Sequence, residues 1–403
     1  MLFRSFKLRV SHGVLGNQDI GDYRFSAPIN QGLNYLFGSN VVASGATQLT
    51  LANPNIRWQS NRETNVGVDL GLFESRLTVT MDYYVSTSDG LLVEAPIPGS
   101  LGVVGTPVVN AGTIRNTGFE LAATHRLERG DFQLNTSLTL MTTRNRVVAL
   151  GNGGQPIYAG PFDVARTTVG SPIGTFWVLK TDGIFQSAAE VQASAQPDAK
   201  PGDVRYVDLH GGGPNGDQPD GRITLDDRYA AGSAIPDVTG GLFVDGRYRR
   251  FDLTVNLRGS FGGKIFNVAR YWTDRMDDIS NFREGLSPWS PTNPSTTTPR
   301  AVIGPQGASN ANPLSDRWIE SGAFLRIQNV ALGYRLPDAV GRWLGVASEP
   351  RVFIGVQNLY TFTGFSNWDP ETLGFGDALA RGVDDGAIYP NPRTVTFGLD
   401  FRL

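Results

Sequence analysis

The sequence predicts an all-β protein: a transmembrane antiparallel β-barrel wall of about ten strands, with long connections at one rim and short turns at the other. Three observations predict it. Apolar and polar residues alternate with a period of two over ten segments of about 9–13 residues each. The connections between these segments are alternately short and long. No run of about 18 apolar residues occurs, so no helix is expected to cross a bilayer. Of the 403 residues 49 are Gly, 18% are charged and none is Cys, which excludes disulfides and thiolate chemistry. The formal net charge is −3, mixed along the chain, which gives no footing for nucleic acid.

The segments justify themselves in order. At the start Phe6, Leu8 and Val10 oppose Lys7, Arg9 and Ser11. In TNVGVDLGL, Val66, Val68, Leu70 and Leu72 oppose Asn65, Gly67, Asp69 and Gly71. After Phe73, Glu74 and Ser75 comes RLTVTMDYY, with Leu77, Val79, Met81 and Tyr83 on one face. GFELAATHRL groups Phe119, Leu121, Ala123 and Leu127; the turn ERGD leads to FQLNTSLTL, with Phe132, Leu134, Leu138 and Leu140. GGLFVDGRY and FDLTVNLRGSF flank a tight turn near Arg249. FLRIQNVALGY and RVFIGVQNLYTF are joined by LPDAVGRWLGVASEP, long enough for a helical turn or two. RTVTFGLDFRL (393–403) closes the set.

The long connections are 15–63, 88–117, 149–236, 262–323 and 362–392, read as structureless; the short ones lie near 73–75, 128–130, 247–250 and 336–350. Compact soluble sheets rarely carry so many long connections. A membrane barrel has this asymmetry by construction, and only a closed ladder satisfies backbone groups in hydrocarbon. A soluble β-sandwich also alternates. Here, however, aromatics sit near strand ends on the apolar face (Tyr83, Phe119, Phe132, Tyr334, Phe397), as interfacial girdles require. The N-terminus, MLFRSFKLRVSHG, has no apolar core or cleavage site and is not read as a signal peptide.

The run NPNIRWQSNRETNVGVDLGLFESRLTVTMDYYVSTSDGLL resembles the SusC/RagA group of TonB-dependent outer-membrane transporters. So do NAGTIRNTGFEL (110–121), PIGTFWVLKTDGIFQS (172–187), SGAFLRIQNVALGYRLP (321–337), RVFIGVQNLYTFTGF (351–365) and YPNPRTVTFGLDFRL (389–403). The matching stretches span nearly the whole chain in the family's order. The resemblance implies an outer-membrane location and the import of oligosaccharides or peptides, driven by TonB and assisted by a SusD-like surface lipoprotein. It also implies a 22-stranded barrel, of which residues 1–403 match only the C-terminal part, as an open curved sheet. On this reading there is no plug domain and no TonB box, TonB acts only through the missing N-terminal part, and the chain does not transport by itself. The alternating Phe397, Leu399, Phe401 and Leu403 look like the terminal signal for the outer-membrane assembly machinery, although such chains commonly end on Phe. Phe397, Leu399 and Phe401 should face membrane lipid; Asp400 and Arg402 should face the lumen.

Several clusters hold residue types that carry chemistry elsewhere. DLHGGGPNGDQPDGRITLDDR (208–228) places Asn215, Asp217, Asp220, Asp226 and Asp227 around Gly221. This is a possible calcium loop, though Gln218 and Pro219 break the EF-hand spacing, and a solvated acidic loop is the plainer reading. No other cofactor is expected. Gly211, Gly213 and Gly216 form a G-x-G-x-x-G without the strand and helix that a dinucleotide site needs. GSFGGK (259–264) most simply lets a strand bend into its loop. Omptin-type barrel proteases use Asp and a His–Asp pair at the extracellular rim; Asp208 and His210 have a suggestive spacing, but no second rim Asp pair accompanies them, and no enzyme is expected. His12 and His125 fall on apolar faces. Trp272, Trp289, Trp318 and Trp368 lie in long connections, where they could stack on sugar rings or pack loops together. Trp343 is expected to be a packing anchor. The alternative to a transporter part is a self-contained small barrel acting as an adhesin or structural protein.

Overall fold

The computed structural model describes residues 3–401 except 19–21, 24, 39–40, 95–99, 101–104, 106, 111, 212–215, 278–280, 305–309, 346–348, 372–377 and 387–388. Ten strands form its wall: β1 (Phe3–Asn17), β2 (Gln59–Leu72), β3 (Leu77–Asp89), β4 (Gly112–Arg129), β5 (Phe132–Thr142), β6 (Val238–Tyr248), β7 (Phe251–Phe261), β8 (Phe324–Arg335), β9 (Arg351–Thr363) and β10 (Thr394–Asp400). Each pairs antiparallel with its neighbours in sequence, from β1 at one edge to β10 at the other. The sheet is not closed. The ladder that would make a self-contained ten-stranded barrel, between β1 and β10, is not among the pairings of the described residues.

The period of two sets the faces, because successive side chains leave a strand on opposite sides. Val395, Val356, Val330, Val255 and Val244 fall in one row across β10, β9, β8, β7 and β6. Four residues toward the short turns, Phe132, Tyr248, Phe251 and Tyr334 form a second row. The rings of Phe251 and Tyr334 are 4.8 Å apart. At the opposite rim Tyr360 and Phe362 meet edge to face at 4.6 Å. From Tyr334 to Leu325 a strand tilted by about 40° climbs about 23 Å, close to the roughly 25 Å apolar band of an outer-membrane barrel. Phe397 is 76% exposed and Phe6 66%, as expected of side chains whose natural solvent is lipid.

The other face is polar and tied by charge. Arg9 reaches Asp69 (2.9 Å) and Asp82 (2.9 Å), joining β1, β2 and β3. Gly67 makes room for this: a Cβ there would meet the Asp82 carboxylate and stand 2.7 Å from the Arg9 guanidinium. Arg351 bridges Asp252 and Asp400, so Asp400 lies on the face opposite Phe397, as the alternation predicts. Phe401 is exposed just beyond β10; Arg402 and Leu403 lie outside the described residues.

The long connections correct the expectation that they carry no structure. The strand Arg144–Leu150 runs back along the first residues of β4, and segments from 151–237, 262–323 and 364–393 condense into one body beyond the wall. It contains short strands such as Ala165–Thr167, Thr175–Leu179 and Lys264–Asn267, and the helices α1 (Ala188–Gln192) and α2 (Val268–Asp274). Its core joins Val164, Phe176, Val178, Phe266, Tyr271, Trp318, Ala380 and Val383, drawn from all three connections. The largest fully buried side chains among the described residues, Trp318, Phe176, Phe185 and Phe266, lie here, because the wall offers its apolar face to lipid. On the opposite side, 336–350 carries α3 (Asp338–Leu344). Its Trp343 is 82% exposed, so it is no packing anchor. GSFGGK does turn the chain: Gly262 has φ +97°, and Gly263 passes so close to the Ala234 carbonyl that a Cβ would stand 2.9 Å from it.

Candidate functional site

A cavity of about 800 Å³ lies between the polar face of the wall and the body built from the connections. Its floor is set by register. Thr80, Ala122, Thr139, Gly241 and Arg258 form one row across β3 to β7, and Asp82, Glu120, Met141, Thr239 and Ser260 form the next. Small side chains at Ala122, Thr139 and Gly241 leave the hollow; Gly240 is small for another reason, since a Cβ there would collide with the Thr139 carbonyl at 2.6 Å. Lys264, Pro370, Glu371, Arg381 and Gly382 from the connections complete the lining.

One buried arginine fixes the roof. Arg326 of β8 is 4% exposed, yet all three guanidinium nitrogens are engaged. Nε donates to Thr361 at 2.9 Å, one terminal nitrogen to Asp369 at 2.6 Å and the other to Glu371. Glu371 also pairs with Arg258 at 2.8 Å, and Asp369 accepts from the Glu371 backbone and from the Asn391 side chain. Burial alone would raise the Asp369 carboxyl, but these donors outweigh it and hold the group below the ordinary carboxylate value. A second cluster stiffens α2: Asp274 is buried, which penalises its charge, yet Arg283, Thr273 and Arg270 bring it below its usual value.

The sequence-selected aromatics are not brought together, and none lines this cavity. Trp318 is fully buried, edge to face with Tyr271, and its indole N–H donates to the Asn312 carbonyl. It is a core residue with no free ring face, which corrects its reading as a ligand contact. Trp289 donates to Gln186 and lies against Gly202, where a Cβ would not fit. Trp272 is half exposed, with one contact to Tyr271 and the Arg275 guanidinium 5.1 Å away. Trp368 is 75% exposed.

The acidic loop holds itself through backbone amides. Asp227 is fully buried and accepts from the amides of Leu209, His210 and Thr224. Asp208 accepts from the backbone amides of Asp220 and Gly221, not from His210, and Asp220 accepts from the amide of Arg222. Among the described residues no three acidic or His side chains gather as a metal site. Asp217 and Asp226 stand at the surface; Asn215 and Gly213 lie outside the described residues. Sequence reasoning missed Glu120, Arg258, Lys264, Arg326, Asp369, Glu371 and Arg381. Glu120 and Arg258 had a signal, since both stand opposite the apolar phase of their strands. The roof residues had none, because their partners are distant in sequence.

Residues 23–359 match the family model described as TonB dependent receptor-like, beta-barrel. The chain is 29% identical over 99% of its length to the TonB-dependent receptor P3 of Formosa agariphila, and 26% identical over 98% to the TonB-dependent receptor SusC of Bacteroides thetaiotaomicron. It spans 39% and 37% of those two proteins. Among solved structures, that of the RagAB peptide transporter superposes with a TM-score of 0.79 at 22% identity, covering 99% of this chain and 41% of that one.

Proposed function

Because this chain belongs to the TonB-dependent receptor-like β-barrel family of the outer membrane, we propose that it is the C-terminal portion of the barrel of a nutrient importer. The observation that carries this reading is the ten-stranded meander whose two outer edges have no partner strand among the described residues. In hydrocarbon an unpaired edge costs several kcal/mol per backbone group, so β1 and β10 require further strands of the same wall. The polar face is then the lumen, and the body over it stands on the extracellular side. The cargo proposed is oligosaccharide or peptide, delivered with a SusD-like lipoprotein and moved by TonB acting on the rest of the protein. A calcium ion in the 208–228 loop is no part of this proposal.

Deleting the full gene in its host and scoring growth on oligosaccharides or peptides as sole nutrient tests the reading. Loss of growth on one class, restored by the intact gene and accompanied by co-purification of a surface lipoprotein, supports it. Unchanged growth on both classes would overturn it.

A further inference from the structure

We propose that the outer side of the wall carries a binding site for the phosphate groups of a phosphorylated glycolipid of the outer leaflet, built from Arg115, Arg144 and Arg146 with Arg62 at its edge. The inference rests on the extracellular placement of the long connections given above, and is independent of what the protein carries. Register brings the four arginines together. Arg62, Thr87 and Arg115 stand opposite one another on β2, β3 and β4, and Arg115 stands opposite Arg146 of the strand Arg144–Leu150. Arg144 stands opposite Thr117, one row nearer the membrane. Thr117 and Arg115 follow Phe119 at steps of two, so this is the lipid-facing side of the sheet. The residues between them, Asn116 and Ile114, line a hollow on the lumenal side.

The height is that of lipid headgroups. Arg129 stands opposite Phe132, at the short-turn end of the apolar band. From there to Phe119 a strand tilted by about 40° climbs about 26 Å, the thickness of that band. Phe119 and its cross-strand partner Tyr83, both exposed, therefore mark the extracellular border. Arg144 and Arg115 lie about 5 and 10 Å beyond it, where long cationic side chains meet the headgroup layer. The charge there is uncommitted and local. Arg115, Arg144 and Arg146 are exposed, and among the described residues they make no hydrogen bond, ion pair or ring contact. Arg62 is paired with Asp89, which also accepts from Thr113 at 2.9 Å. Among the ladder partners around the cluster Asp89 is the one carboxylate on this face. The lipid-facing side of β6 to β9, by contrast, carries no charged residue along its whole length. A soluble anion would need no particular height, whereas a lipid phosphate must lie at this one. Guanidinium forks match phosphate oxygens in pairs, and the row Val66, Tyr83 and Phe119 below gives the acyl chains an apolar support.

The test uses the full-length protein in detergent, titrated with lipid A, with lipid A dephosphorylated by phosphatase, and with inorganic phosphate, the bound fraction being read by native mass spectrometry. The phosphorylated lipid should bind roughly tenfold more tightly than its dephosphorylated form, the order expected for one charge-assisted contact. Arg115→Gln, Arg144→Gln and Arg146→Gln together should abolish that difference. Arg129→Gln, at the other end of the same face of β4, should leave it intact, and lysine at the three positions should restore part of it. Heat-modifiable electrophoretic mobility shows whether each variant is folded; should the triple variant not fold, Arg115→Gln alone should lower the affinity for the phosphorylated lipid several-fold. Equal affinity for the two lipids, an equal loss in Arg129→Gln, or inorganic phosphate bound as tightly as the lipid overturns the proposal while the importer reading stands. Unchanged growth of the deletion strain on both nutrient classes would instead remove the importer reading and leave the lipid measurement untouched.

Discussion

Arg326 of β8 and Asp369 of the last long connection form an ion pair at 2.6 Å in which both side chains are almost wholly buried. The pair fixes the end of a surface connection to the inner face of the wall. Removing one partner of a buried pair leaves the other charge uncompensated, at about 3–5 kcal/mol. Arg326→Met should therefore free segment 364–393 and expose it to protease, while the wall strands stay protected. Arg326→Lys should rescue poorly, since an ammonium cannot serve Thr361, Asp369 and Glu371 at once. Cleavage patterns of the two variants decide this; an intact segment in Arg326→Met would refute the anchoring role.

The same contact sets an acid limit. The Asp369 carboxyl is held below its ordinary value: burial opposes the charge, but the donors prevail. A depressed carboxylate contributes stability that is full above its unfolded value, near 3.9, and is lost as pH falls through the folded value. Protease resistance of 364–393 should thus be flat from neutral pH down to about pH 5 and decline only in stronger acid. A decline already near pH 6 would point to a different group.

Trp318 and Trp368 should part ways on truncation. Trp318→Ala empties the centre of the extramembrane core and should cost about 3–5 kcal/mol, read as a lower unfolding temperature of that body. Trp368→Ala removes a ring that is 75% exposed and should stay within about 0.5 kcal/mol.

The valine row marks the middle of the apolar band. Val356→Arg should cost about 2–4 kcal/mol in liposomes, the value for a cation at the bilayer midplane. Thr396→Arg, one row away on the opposite face, should be nearly neutral. Urea unfolding of the full-length protein in lipid gives both values, and equal costs would mean that the two faces have been assigned wrongly.

Two phenols predict an alkaline limit. Tyr206 is pushed up to about 12, chiefly by burial, and Tyr229 to about 12 by burial and by Asp316, to which its hydroxyl donates at 3.1 Å. Their neutral forms are the ones the fold favours, so this stability is complete below the unfolded value of about 10 and is lost as pH rises toward 12. Tyr229→Phe should flatten that decline in a spectrophotometric titration.

The wall was legible in the sequence because lipid and lumen impose a strict two-residue code. Val395, Phe397 and Leu399 against Thr396, Gly398 and Asp400 can be read without any partner strand. The extramembrane body was not legible, since its strands run five residues at most, as in Ala165–Thr167 and Thr175–Leu179. Such pieces are too short to show a period, and their burial comes from three connections at once. Trp318 looked like a ligand contact for that reason: its loop position was visible, but its neighbours Tyr271 and Phe266 were not. The cavity was half visible. Glu120 and Arg258 follow from alternation, whereas Arg326, Asp369 and Glu371 meet only after the last connection folds inward.

The meander also carries a kinetic consequence. Every wall strand seeks a partner adjacent in sequence, so pairing can proceed as a zipper in which each step closes one loop. For short turns such as that between β6 and β7 the closure entropy is small. Between β5 and β6 the intervening segment is 143–237, and logarithmic scaling makes that closure about 3 kcal/mol more costly than a two-residue turn. Early folding of that segment would bring its ends together before the strands pair and shorten the effective loop. The extramembrane body then acts as a clasp, and the slowest seam of the wall is set by a part of the chain that never enters the membrane.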